Sequence, residues 1–98
     1  MALVSVGELA ILIVELSHFQ QKIIATELEQ LGCQQIETAS TVAEALDIMS
    51  RYTPDLVISS MYLPDGDGIS LVSQMRTDER LESTPYMLIS SEDRIDRL

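Results

Sequence analysis

The residues of this chain best suited to chemistry gather around one segment, ISSMYLPDGDG, which runs from Ile58 to Gly68. It starts like the end of a buried strand and passes into a turn rich in Pro, Gly and Asp, the kind of loop on which reactive groups are presented. The group at the strand's end is the hydroxyl of Ser60. A serine becomes a nucleophile only beside a base that takes its proton. The sole histidine, His18, stands in the distant stretch SHFQQKI, and no carboxylate dyad suggests a relay. Ser60 therefore reads as a small polar filler, ahead of a kinase target. The run DGDG suggests a calcium loop, but counting twelve positions from Asp65 puts Arg76 where a bidentate Glu belongs, and Ile69 where an oxygen ligand is needed. Cys33, beside Gly32, reads as a packed thiol.

These groups need elements to position them. LAILIV, Leu9 to Val14, is a continuous run of β-favouring apolar residues, as in a strand buried on both faces. Ser17 and Gln20 have capping-box spacing, and Ile24, Leu28 and Leu31 recur at helical intervals until Gly32 stops the helix. QQIETA, Gln34 to Ala39, reads as a polar edge strand. Thr41 and Glu44 repeat the capping spacing ahead of an apolar stripe of Val42, Ala45, Leu46 and Met49; Pro54 forbids continuation, so this helix is expected to end near Tyr52. Asp55 to Ser59 is a third strand, Ile69 to Met75 a third helix with stripe Leu71, Val72 and Met75, and Tyr86 to Ser90 a fourth strand. Met49, Met75 and Met87 are expected in the core, and Met61 and Tyr62 against the third helix.

Alternation of strand and helix predicts a parallel α/β sheet with right-handed crossovers and helices on both faces. Residues 1–98 read as a single domain, with 1–8 as an extended or tag-derived lead-in. SEDRIDRL begins like a helix near Glu92 and leaves the fourth strand as an uncovered hydrophobic edge. In such a sheet a ligand sits beyond the carboxyl ends of the strands, which points to Val14–Leu16, Ser59–Met61 and Ser90–Glu92.

ILIVELS, AEAL, PDLVISSMYLPDGDG and TPYMLISS, in this order and spacing, resemble the receiver domain of two-component response regulators. The resemblance implies a flavodoxin-like (CheY-like) three-layer sandwich with strand order 2-1-3-4 in the part present, strand five and helix five being absent. It further implies a pocket in which two acids after strand one and an aspartate ending strand three hold Mg²⁺, the last accepting a phosphoryl group from phosphohistidine. Those positions fall on Glu15, Leu16 and Ser60. The switch Ser/Thr after strand four falls on Ser90, and Pro64 and Gly68 keep the shape of the loop.

The substitutions change what such a pocket can do. Mg²⁺ wants charged oxygens in octahedral array. Glu15 is the sole carboxylate left and reads as solvated, so Mg²⁺ binding is expected to be weak or absent, with no other cofactor. Ser60 cannot form an acyl phosphate. His18 faintly resembles a histidine kinase phosphorylation site, without the usual Glu, Arg and Pro neighbours, and reads as an exposed first-turn residue. The expected function is a degenerate, non-enzymatic receiver acting by protein contact. One alternative is a receiver that takes phosphate through a non-standard site; another is a flavodoxin-like enzyme binding FMN, against which stands the lack of a phosphate loop after strand one.

The expected contact surfaces are the open side of strand four and the helix near Glu92, toward an output domain, another protein or a second copy. A net charge of -10 excludes gripping nucleic acid or anionic lipid. A lone cysteine and the lack of a long apolar stretch or signal segment point to the cytoplasm.

Overall fold

The computed structural model describes residues 5–89. Its core is a parallel sheet of β1 (Ala10–Val14), β2 (Gln35–Ala39), β3 (Leu56–Ser60) and β6 (Tyr86–Ile89), in the order β2-β1-β3-β6. The expected 2-1-3-4 order is thus observed. Between β3 and the third helix a small antiparallel hairpin, β4 (Tyr62–Leu63) with β5 (Gly66–Asp67), had no counterpart in the sequence reading.

α1 (His18–Gln30) covers one face of the sheet, and α2 (Val42–Met49) and α3 (Gly68–Arg76) the other. The period-2 alternation of β1 divides its side chains between them. Leu12 and Val14 pack with Val42, Ala45, Met49, Leu71 and Met75; Ile11 and Ile13 pack with Ile24, Leu28, Cys33 and Ile58. Leu12 and Ile13 are each 0% exposed, and each burial contributes about 1.5–3 kcal/mol. A strand buried on both sides is what the uninterrupted apolar run required.

The N-caps form where the spacing put them, but the reciprocal half of each capping box does not: Glu44 Oε1 accepts the Ser40 amide at 2.7 Å in place of that of Thr41, and Gln20 returns no bond to Ser17. Ser17 accepts from the Gln20 amide at 3.2 Å, and Thr41 from that of Glu44 at 3.0 Å. Gly32 adopts φ 102, a left-handed conformation that glycine takes without penalty, and closes α1.

Several expectations need correction. α2 ends at Met49, with Ser50 as its C-cap, short of Tyr52. Leu31 is 70% exposed, because it follows the last helical residue and has turned off the apolar stripe. Tyr62, expected against α3, is 63% exposed on the β4–β5 hairpin; Met87, expected in the core, is 50% exposed on β6, the last strand of the sheet among the described residues. Within the lead-in, Val6–Glu8 form a 3-10 turn, with the Ser5 amide donating to Glu8 Oε1 at 3.0 Å; residues 1–4 lie outside the described residues. Ser90 and the helix expected near Glu92 lie outside the described residues.

Candidate functional site

The carboxyl ends of β1 and β3 lie side by side, with Val14 in register with Ser59. The next residues, Glu15 and Ser60, therefore flank the crevice, with Leu16 at its rim and the end of β6 beyond, Ser60 being in register with Ile89. The structure thus brings together the expected positions Glu15, Leu16 and Ser60, while Ser90 follows Ile89 outside the described residues.

Glu15 is 8% exposed, which corrects the expectation of a solvated carboxylate. Its Oε2 accepts the Ser17 amide at 2.9 Å and its own amide donates to Ala39 O at 2.9 Å. Ser17 is the N-cap of α1, so the carboxylate sits where the helix's positive end favours an anion. Gln21, a buried residue with no place in the sequence reading, reinforces this corner. Its Nε2 donates to Glu15 O at 2.6 Å, to Ala39 O at 3.4 Å and to Ser40 Oγ at 3.3 Å. A glutamine one turn after the cap, on a helix whose inner face is otherwise apolar, was the available signal. Leu16 is 53% exposed and offers no ligand atom.

Ser60 is 5% exposed, and its hydroxyl donates to Tyr62 O at 3.3 Å. The neighbouring Ser59 hydroxyl donates to Ser60 O at 2.9 Å. Each proton thus has a backbone carbonyl as its acceptor. His18 is exposed in the first turn of α1, as expected, with Nε2 3.5 Å from Ser40 Oγ. Among the described residues no group of three or more His, Cys, Asp or Glu is placed to hold a metal ion.

The loop after Ser60 is fastened at both ends. Asp65, whose loop lacks the ligand spacing of a calcium site, accepts the amides of Val42 and Ala43 at 2.8 and 3.0 Å, so it caps α2 from another part of the chain. Those two bonds to the charged form hold its pKa below the ordinary carboxylate value, Ala43 contributing most. Asp67 caps α3: the Ser70 amide donates to its Oδ1 at 2.7 Å, and its own amide donates to Ser70 Oγ at 3.1 Å. Gly68 lies against the strand ends; a Cβ there would stand 2.7 Å from Ser60 O and 2.9 Å from the Tyr86 hydroxyl. That hydroxyl donates to Gly68 O at 2.7 Å, and burial is the main cause raising its pKa. Pro64 is exposed at the turn.

A sheet of this order with a crevice at this point invites comparison with known proteins. The family model described as "Response regulator receiver domain" matches residues 11–98. The chain belongs to the response regulator receiver domain family. This receiver is 31% identical over 80 residues to a protein-glutamate methylesterase/protein-glutamine glutaminase of Halobacterium salinarum, covering 82% of the chain and 22% of that protein. It is 28% identical over 82 residues to the polar-differentiation response regulator DivK of Brucella ovis, covering 84% of the chain and 66% of DivK. The chain therefore spans less than two thirds of each relative's length. A solved receiver domain of a signal transduction histidine kinase from Syntrophus aciditrophicus superposes with TM-score 0.80 at 31% identity, over 90% of this chain and 66% of that one. Family membership favours the receiver reading over the flavin enzyme. Among the described residues no helix is long and apolar enough to cross a membrane.

Proposed function

We propose that this receiver works in two-component signalling as a phosphorylation-independent interaction module, non-enzymatic and cytoplasmic. The observation that carries the reading is Ser60: the position at which the family resemblance puts a phospho-accepting aspartate holds a hydroxyl that is 5% exposed and donates to Tyr62 O. The donor set does not fit Mg²⁺, a hard cation that asks for several charged oxygens. Leu16 supplies no oxygen, Ser60 a neutral one, and Glu15 Oε2 already accepts the Ser17 amide. The loop that a phosphoryl group would otherwise order is fastened through Asp65 and Asp67. Contact is made through the open flank of β6, toward an output domain, another protein or a second copy.

The test is to incubate the protein with radiolabelled acetyl phosphate, and separately with beryllofluoride, each with and without Mg²⁺, following Glu15 and Ser60 by NMR. No divalent-dependent label and no beryllofluoride-dependent shift are expected. Label retained at the crevice, or on His18, overturns the reading in favour of a phosphorelay through a non-standard site.

A further inference from the structure

A second cleft lies at the opposite end of the strands, about 16 Å from the crevice along β1 at the ordinary strand rise. It holds about 430 Å³ and is lined by Ala10, Gln34, Gln35, Ile36, Glu37 and Tyr52. Its origin is the early end of α2. The helix stops at Met49, so the chain reaches Tyr52 already unwound, and Tyr52 is the sole lining residue outside β1, β2 and the residue leading into β2. Gln35 and Glu37 lie on the α2 side of the strand, in alternation with Ile36, which packs on the α1 side.

The cleft has the chemistry of a cation site. Glu37 is its one charged lining residue. Asp55 is fixed beside Ala10, its Oδ2 accepting the Ala10 amide at 2.8 Å while its own amide donates to Ala10 O at 2.7 Å. Glu37 and Tyr52 thus line the cleft together, with Asp55 bonded to Ala10 in its wall, and burial, then Glu37, then Asp55 push the Tyr52 hydroxyl pKa up. The Tyr52 hydroxyl is closed off from solvent and has no hydrogen-bond partner among the described residues. Beside the cleft runs a free edge: β2 is the terminal strand of the sheet, paired with β1 alone among the described residues, and Gln35, Glu37 and Thr38 are exposed along it.

We infer that the outer edge of β2 and this cleft bind an extended segment of a partner protein that carries arginine or lysine. The segment pairs its backbone with β2, and a cationic side chain enters the cleft, lies on the Tyr52 ring and meets the Glu37 carboxylate. Strand addition presents alternate side chains to one side of the sheet, so one cation in every two positions reaches the cleft. An acidic segment is repelled by the same carboxylates and by the net charge of -10. A second copy presenting this edge would bring another ten negative charges and a second Glu37 to it.

The probe is a blocked pentapeptide, Thr-Arg-Val-Arg-Val, titrated into the isotopically labelled chain. Shifts confined to the Gln34–Thr38 amides and the Tyr52 ring are expected, with slowed amide exchange along β2. Glu37→Gln should weaken binding about two- to fivefold, whereas Glu29→Gln, which removes the same charge from the exposed side of α1, should leave it unchanged. The inference is overturned by the absence of binding at about 1 mM peptide, by equal binding of the peptide with glutamates for arginines, or by equal loss in the two variants. Equal shifts from arginine amide alone would equally overturn it, as would self-association through the β2 edge.

Discussion

Asp65 sits at the N-terminus of a helix to which it does not belong. Its carboxylate accepts two amides from residues 22 and 23 positions earlier, which ties the crevice loop to α2 without any metal or phosphate. The pKa of this group is depressed in the folded state, so its contribution is present above the ordinary aspartate pKa and is lost as pH falls through the folded value. Asp65→Asn should therefore lower the melting temperature at neutral pH and flatten its fall between about pH 5 and pH 2 relative to the parent protein. Thermal unfolding followed by circular dichroism across that range checks both; parallel curves for the two proteins would mean that the carboxylate does not fasten the loop. Glu15 has the same kind of role at α1, binding the Ser17 amide where a solvated acid was expected. At both positions the carboxylate is engaged by backbone, so its charge stabilises helix ends.

Among the elements, α3 shows most clearly how loop shape depends on one residue. It begins at Gly68, whose backbone lies so close to β3 and β6 that a Cβ would stand 2.7 Å from Ser60 O. Gly68→Ala overpacks this contact and displaces Tyr86 from its bond to Gly68 O, and should cost about 1–3 kcal/mol in urea denaturation, with little change in helix content. A cost within about 0.5 kcal/mol, the range of ordinary surface changes, would show that the strand ends yield there. The four sheet strands, the three helices and the N-caps of α1 and α2 were legible because each rests on a local signal: the apolar run of β1, the cap spacings of Ser17 and Thr41, the glycine after α1; the Asp67 cap of α3 was not read. The crevice positions were legible through order and register, but the state of their side chains was not. Nothing local to Glu15 tells that Ser17 and Gln21 will enclose it, and nothing local to Asp65 tells that the start of α2 will lie above it. The β4–β5 hairpin, with two residues in each strand, is too short to leave an alternating pattern.

At the scale of the whole molecule the two faces of the sheet are unequally covered. On one side α2 and α3 close over β1 and β3, leaving Leu12, Val57, Leu71 and Met75 at 0% exposure. On the other, α1 packs through Ile24 and Leu28 against Ile11, Ile13 and Ile36, while the apolar row continues past it through Ile58 to Met87 on β6. Met87 is in register with Ile58 and so lies on the same side of the sheet, yet it is 50% exposed against 5% for Ile58. The exposed end of an otherwise buried row, on a strand with an unpaired edge among the described residues, is a surface whose covering is favoured by the hydrophobic effect. The net charge of -10 opposes pairing of two copies in dilute buffer, and salt screens that repulsion without weakening apolar contact. If this flank is the contact surface proposed above, self-association in sedimentation velocity should rise with both protein concentration and salt. Met87→Glu should abolish it while leaving unfolding free energy within about 0.5 kcal/mol, since the side chain is already half in solvent. Association that weakens as salt rises, or that survives Met87→Glu unchanged, would place the contact on charged groups elsewhere on the surface.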